Sequence, residues 1–286
     1  MISRIVLIVV CAILVGCGAS SAAPGKTSVV AAFYPLAFVA ERVGGSQVTV
    51  TDLTPAGSEP HDIELAPRAV AEIERADVVL YLSHGFQPAV SAAVKQARGR
   101  TIDVLAGLPL HASVGGEAGL TADPHVWLDP LLFAKVVQRI GTVLRQPQRT
   151  ATLVADLRRL DRAYRTGLAH CARKAIVTSH AAFGYLAARY GLTQVPITGL
   201  APDVEPTAGQ LAHVVRVVRT THTTTVFFET LVSPRLADTV ARETSAHTAV
   251  LDPIEGLTPS EQAHGGNYFT LMRQNLAALR KALACR

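Results

Sequence analysis

The sequence predicts an α/β fold in which two βα series, each building a parallel sheet, form two lobes joined by one long rigid helix. Three observations carry this prediction. Short apolar runs alternate with amphipathic stretches from Ser28 to Val104. One stretch, Pro147 to Cys171, holds helical spacing for about 24 residues, roughly 36 Å at 1.5 Å per residue. The βα alternation then restarts at Lys174.

Residues 1–16 read as a signal peptide, with Arg4 as its positive start. Ile5 to Val15 is an apolar run too short to span a bilayer comfortably. The run stops at Leu14-Val15-Gly16-Cys17, which resembles a bacterial lipobox, so cleavage before Cys17 and lipid attachment to its sulfur are expected. A secretory signal cut near Ala22 or Ala23 is the alternative. Residues 17–27 then comprise the lipidated cysteine and a flexible tether of small residues. Either way the mature protein works outside the cytoplasm.

The first lobe spans 28–145. Ser28–Tyr34 reads as a buried strand, and Pro35–Val43 as a helix closed by Gly44 and Gly45. Val48–Leu53 alternates like a strand and leads through a Thr-Pro-Ala-Gly loop into Glu59-Pro60-His61. Pro67–Ala76 is helical, Asp77–Leu82 a buried strand, Pro88–Gln96 a helix and Thr101–Val104 a short strand. Leu108–Ala122 is an irregular, Gly-rich loop containing His111, and Leu131–Leu144 is a helix.

The bridging helix occupies 146–172, with Leu153, Leu157, Leu160, Tyr164 and Leu168 recurring every three or four residues. The second lobe, 173–286, offers strands at Lys174–Ser179, Leu192–Thr198, Thr224–Phe228 and Thr248–Leu251. They alternate with helices at Ala181–Tyr190, Thr207–Thr220, Pro234–Thr244 and Asn267–Leu283.

With 49% apolar residues the chain can bury a sizeable core. A net charge of +5, spread without any Lys/Arg block, gives no footprint for nucleic acid. Three cysteines remain after the signal: Cys17, Cys171 and Cys285. With Cys17 lipidated, the other two form a pair that an oxidising compartment favours as a disulfide; two free buried thiols are the alternative.

The densest chemistry lies in Asp123-Pro124-His125-Val126-Trp127-Leu128-Asp129-Pro130, which holds an imidazole, two carboxylates and the single tryptophan of the chain. The prolines stiffen the backbone on both sides of the His. Ser58-Glu59-Pro60-His61-Asp62 repeats the Pro-His core. In the second half His180, Glu229 and Asp252 all stand at strand C-termini, where open α/β sheets place ligands. Three imidazoles and one carboxylate, His61, His125, His180 and Asp252, make an N/O set suited to a divalent transition metal. Glu59 and Asp129 are expected to accept imidazole N–H groups and so orient the ligands. Glu229 is the alternative carboxylate. His84, His170, His213, His222, His247 and His264 match no ligand pattern and are expected at the surface or in packing roles. HExxH, Walker A and GxSxG patterns are absent.

The stretches PAGSEPHDIELAP (55–67), DPHVWLDP (123–130), VTSHAAFGYLAARYGL (177–192), EPTAGQL (205–211), VLDPIEGL (250–257) and NYFTLMRQNLAAL (267–279) resemble the metal-binding lipoproteins of bacterial ABC importers. These are the zinc and manganese solute-binding proteins, and the match runs over residues 28–283 in the family's order. The resemblance implies Zn²⁺ held in the cleft between the lobes by the four residues above, as transported ligand. It implies a permease and its ATPase subunit as partners, a membrane tie through the lipid anchor, a monomer, and no enzymatic activity. Two departures stand out. Gln87 and Ala89 occupy positions where the family often has Glu and Trp, and the loop before Asp123 is short where many zinc members carry a His-rich insertion.

A manganese carrier of the same family is the nearest alternative. Relatives resembling manganese carriers have Glu at the position of His180, and imidazole favours zinc over the harder ion. A zinc hydrolase would need an open coordination position and a general base. An adhesin role, a label attached to some relatives, has no independent support in these residues.

Overall fold

The structure, a computed structural model, describes residues 25–113 and 119–286. The expected signal segment, Cys17 and most of the tether lie outside the described residues. Among the described residues no helix is long and apolar enough to cross a membrane.

The first sheet contains β1 (Thr27–Ala31), β2 (Val48–Asp52), β3 (Val78–Tyr81) and β4 (Arg100–Asp103), in spatial order β2-β1-β3-β4. The second contains β5 (Ala175–Thr178), β6 (Thr193–Pro196), β7 (Thr225–Phe228) and β8 (His247–Val250), in the order β6-β5-β7-β8. Every pairing is parallel. The central strands carry consecutive buried residues, as parallel strands covered on both faces require: Val29-Val30-Ala31 in β1 and Ile176-Val177-Thr178 in β5. Strand order reverses between β1 and β3 and again between β5 and β7, which opens a crevice at the carboxyl ends of those strands.

Around the first sheet lie α1 (Tyr34–Gly44), α2 (Pro67–Arg75), α3 (Pro88–Ala93) and α4 (Pro130–Leu144). Each has proline in its first turn, where the missing N–H costs nothing. The bridging helix α5 is Pro147–Gly167, 21 residues. It is shorter than expected because the chain turns at Leu168, which is buried beneath that turn. The second sheet is followed by α6 (Gly184–Tyr190), α7 (Ala208–Thr220), α8 (Arg235–Thr244), α9 (Pro259–Ala263) and α10 (Tyr268–Ala282). Helix α9 was not expected, although Thr258-Pro259-Ser260-Glu261 forms a capping box at its start.

Helix α10 crosses back onto the first half of the chain. The Tyr268 hydroxyl donates to Trp127 O at 2.6 Å, and the Tyr164 hydroxyl of α5 donates to Met272 O at 2.6 Å. The ring of Tyr268 packs on Phe38 and Phe133. A Cys171–Cys285 disulfide joins the chain just past α5 to the chain just past α10. One apolar core therefore runs from the first sheet through α1, α4, α5 and α10 into the inner face of the second sheet. A separate, smaller cluster lies between the outer face of the second sheet and α7 and α8.

Candidate metal centre

His61 lies in the loop after β2, which is held from both sides. The Thr54 hydroxyl donates to Ala32 O at 2.9 Å, and Gly57 N–H donates across the cleft to Leu257 O at 2.8 Å. Gly57 takes φ +84°, a conformation that favours glycine. The His61 ring stands edge-on against Phe86, with centroids 4.6 Å apart. His125 precedes a 3-10 turn, Val126–Leu128, and packs beside Trp127 at 5.1 Å. Trp127 Nε1–H donates to Pro253 O at 2.7 Å, tying this segment to the opposite lobe.

On the second lobe β5 and β7 are register neighbours, Thr178 beside Phe227. His180 and Glu229 each stand two residues further on, so they meet: His180 Nδ1 lies 2.6 Å from Glu229 Oε1. The Ser179 hydroxyl donates to the same oxygen. Asp123 serves His125 in the same way, Oδ1 lying 2.8 Å from Nδ1 and accepting the His125 backbone N–H at 2.9 Å.

These constraints turn three imidazole Nε2 atoms toward one carboxylate, that of Glu255. Glu255 Oε1 is 3.0 Å from His125 Nε2, 3.4 Å from His180 Nε2 and 3.5 Å from His61 Nε2. The two rings of His125 and His180 approach to 3.4 Å between Nε2 atoms. The donor atoms of His61, His125, His180 and Glu255 all lie within 4.8 Å of one another, and all four residues are buried. Three borderline nitrogens and one oxygen in that space match the donor set of a tetrahedral zinc site. Both ring nitrogens of His61 are buried without a hydrogen-bond partner, which a bound cation would remedy at one of them.

The electrostatics separate the rings. Burial pushes the His61 ring below its usual pKa. Burial acts the same way on His180, but the carboxylates of Glu229 and Glu255 outweigh it and hold its pKa well above the usual value. For His125, Asp123 and Glu255 likewise overcome burial and raise it. Burial would raise Glu255, yet the three imidazoles gathered around it, His125 and His180 foremost, hold it well below the usual carboxylate range.

Asp252 does not join the cluster. Its Oδ1 accepts the Ile254 N–H at 2.7 Å, and its Oδ2 accepts from the Thr230 hydroxyl at 3.3 Å. The carboxylate is spent on folding the turn that presents Glu255. That turn is fixed from behind by Asn275, which accepts Asp252 N–H at 2.9 Å and donates to Asp252 O at 2.6 Å. Ile254, buried and β-branched, is held at φ +59°, a strained conformation of the kind that clusters at functional sites. Asp129 is likewise not an imidazole partner: it caps α4, accepting Leu131 N–H at 2.8 Å and Leu132 N–H at 3.3 Å. Glu59 Oε2 accepts the His61 backbone N–H at 2.9 Å. Its other oxygen is buried without a hydrogen bond, 3.9 Å from His61 Nε2. Burial lifts the Glu59 carboxyl to about 8.

Glu255 was readable from one feature only, an acid inside the Pro253–Gly256 turn just past a strand end. Asp252, closer to the strand, was the more obvious candidate. Gln87 is buried and donates to Ala32 O at 3.2 Å, outside the cluster. The six histidines expected to stand apart are all exposed, and His111, also exposed, stacks on Tyr185 at 4.0 Å.

Residues 29–282 match the family described as "ZnuA: Zinc-uptake complex component A periplasmic". The chain belongs to this family. It is 34% identical to the high-affinity zinc uptake system protein ZnuA of Bacillus subtilis, over 98% of this chain and 97% of that protein. It is also 34% identical to the zinc-binding lipoprotein AdcA of Streptococcus pneumoniae over 94% of this chain, but spans only 58% of AdcA. The crystal structure of the Zn(II)-bound ZnuA-like domain of that AdcA superposes with a TM-score of 0.76 at 34% identity, covering 91% of this chain and 99% of that domain. The ZnuA-family fold thus accounts for the two sheets, the bridging helix and the cleft that holds the histidines.

Proposed function

We propose that this protein is the extracytoplasmic binding component of a zinc ABC importer, capturing Zn²⁺ between its lobes and delivering it to a membrane permease. The observation that carries the reading is the buried convergence of His61, His125, His180 and Glu255, two donors from each lobe, in a ZnuA-family chain. Three neutral imidazoles and one carboxylate leave a bound Zn²⁺ with a net charge near +1 and suit zinc over manganese. Four protein donors complete a tetrahedral shell and leave no position for a catalytic water, which favours binding over hydrolysis. Lipid attachment at Cys17 would keep the protein at the outer face of the membrane, beside its permease and ATPase partners.

Calorimetric titration of the purified protein tests this directly, with one tight Zn²⁺ per chain expected. Glu255→Gln should weaken zinc about 100-fold, whereas Asp252→Asn, which keeps an acceptor for Ile254 N–H, should cost less than about tenfold. Equal losses at the two positions would return Asp252 to the ligand set. His180→Glu should weaken Zn²⁺ much more than Mn²⁺, and an unchanged ratio would remove the physical basis for the zinc assignment.

A further inference from the structure

Three bodies of the molecule, the first lobe, the bridging helix and the second lobe, meet at one cation. Arg189 lies in α6 of the second lobe, and its Nε is 2.6 Å from Asp161 Oδ1 of α5. The same Nε is 3.2 Å from Asp129 Oδ1, and Nη1 is 3.5 Å from Asp129 Oδ2. Asp161 sits on the buried side of α5 with Leu157, Leu160 and Tyr164. It also accepts the Tyr190 O–H at 3.2 Å and Arg165 Nε–H at 3.1 Å. A carboxylate on that apolar face is costly unless paired, and the guanidinium is its inward partner.

The position of this junction links it to the metal centre. Asp129 is the N-cap of α4 and follows His125 with only the 3-10 turn Val126–Leu128 between them. Arg189 is on the helix that follows His180 with only the 3-10 turn Ala181–Phe183 between them. The two short, stiff segments that bear the facing histidines are therefore clamped to each other at their far ends, and both are clamped to α5. Buried ion pairs contribute little net stability compared with apolar packing; their better-attested use is to select one arrangement. Arginine suits this use because its planar fork can engage two carboxylates in fixed directions, which a lysine ammonium cannot.

We propose that Arg189 is a positioning residue for zinc binding, setting the separation of His125 from His180 by fixing α6 against Asp129 and Asp161. This rests on the zinc-capture reading above. The test is the rate of zinc release to an excess of chelator, followed by stopped flow, for the full-length wild type, Arg189→Ala, Arg189→Lys and Asp161→Asn. Val218→Ala, in the small outer cluster beneath α7, serves as a control for lost stability. Arg189→Ala should release zinc about tenfold faster, the lower range for loss of a partner that orients a metal ligand. Arg189→Lys should fall between it and wild type. Val218→Ala should release at the wild-type rate even where its metal-free melting temperature drops as far. Should Arg189→Ala not fold, Asp161→Asn carries the same expectation, since it removes the charge and keeps the shape. Wild-type release from both Arg189→Ala and Asp161→Asn, or equally fast release from Val218→Ala, overturns the positioning role alone. A wild type that binds no zinc overturns the functional reading and this inference with it.

Discussion

In the first lobe both faces of the sheet open into a core rich in aromatic rings, Phe33, Phe86, Trp127 and Phe133 among them, that continues into α5 and α10. In the second lobe only the inner face joins that core, through Ile176, Phe227 and Leu251. Its outer face is closed by a separate aliphatic cluster in which Val214 and Val218 of α7 and Ala237, Val240 and Ala241 of α8 cover Val177, Ile197 and Val226. Buried apolar area scales with stabilisation, so identical topologies in the two sheets rest on unequal interiors. The lesson extends to the metal centre. His61 is packed edge-on against Phe86 and its ring nitrogens have no hydrogen bonds, whereas His125 and His180 are each held by a hydrogen-bonded carboxylate, and Glu255 by a strained, hydrogen-bonded turn.

The largest effect expected is on the covalent closure of the larger core. The disulfide closes a loop of 114 residues, worth at most about 4–5 kcal/mol in the chain-entropy account. The Cys171→Ser, Cys285→Ser double variant should lose most stability in chemical denaturation through α5 and α10. If it loses none, the larger core is self-sufficient and the contrast between the lobes is sharper.

Next come the two kinds of histidine in the metal-free protein. His180→Ala strands the buried carboxylate of Glu229, a loss of about 3 kcal/mol. His61→Ala removes a ring whose nitrogens have no hydrogen bonds, so it should cost about 2 kcal/mol less, the difference being the desolvation of the stranded acid. Equal losses in urea denaturation would mean that His61 and His180 are held by the same means.

Hydrogen exchange of the metal-free protein addresses the interiors directly. Amides of α7 and α8 should exchange through local openings about 2 kcal/mol easier than those of β1 and β3, since sub-global units with less buried surface open first. Equal protection in the two regions would break the comparison.

The smallest effect concerns a device the lobes share. Asp52 ends β2 and Asp252 follows β8, and each accepts the N–H of the residue two positions on, Thr54 at 3.0 Å and Ile254 at 2.7 Å. Burial lifts the Asp52 carboxyl from 3.8 to about 7. An acid that binds its proton more tightly when folded stabilises below its unfolded pKa, and this contribution is lost as pH rises through the window from about 4 to about 7. Asp52→Asn keeps the acceptor for Thr54 N–H and should be about 1 kcal/mol more stable than wild type at pH 8, with the gain vanishing at pH 4. Parallel stability curves for the two proteins across that range would show that the first lobe tolerates this charge at no cost.

Read alone, the sequence located the two βα series, the long amphipathic helix and the three histidines, because each is a local pattern. Apolar runs and helical spacing define elements within a few residues, and Pro-His pairs at loop ends mark themselves. What the tertiary structure decided was the fourth donor, the partners of the imidazoles and the destination of α10. Asp252 and Glu255 are three residues apart in one turn, and a backbone at φ +59° on Ile254 determines which of them faces the histidines. The pairing of His180 with Glu229 follows from β5 and β7 being register neighbours. The second is a consequence of strand order over a long separation, and the first of a turn fixed from behind by Asn275 of α10, neither of which residue types and spacing encode locally.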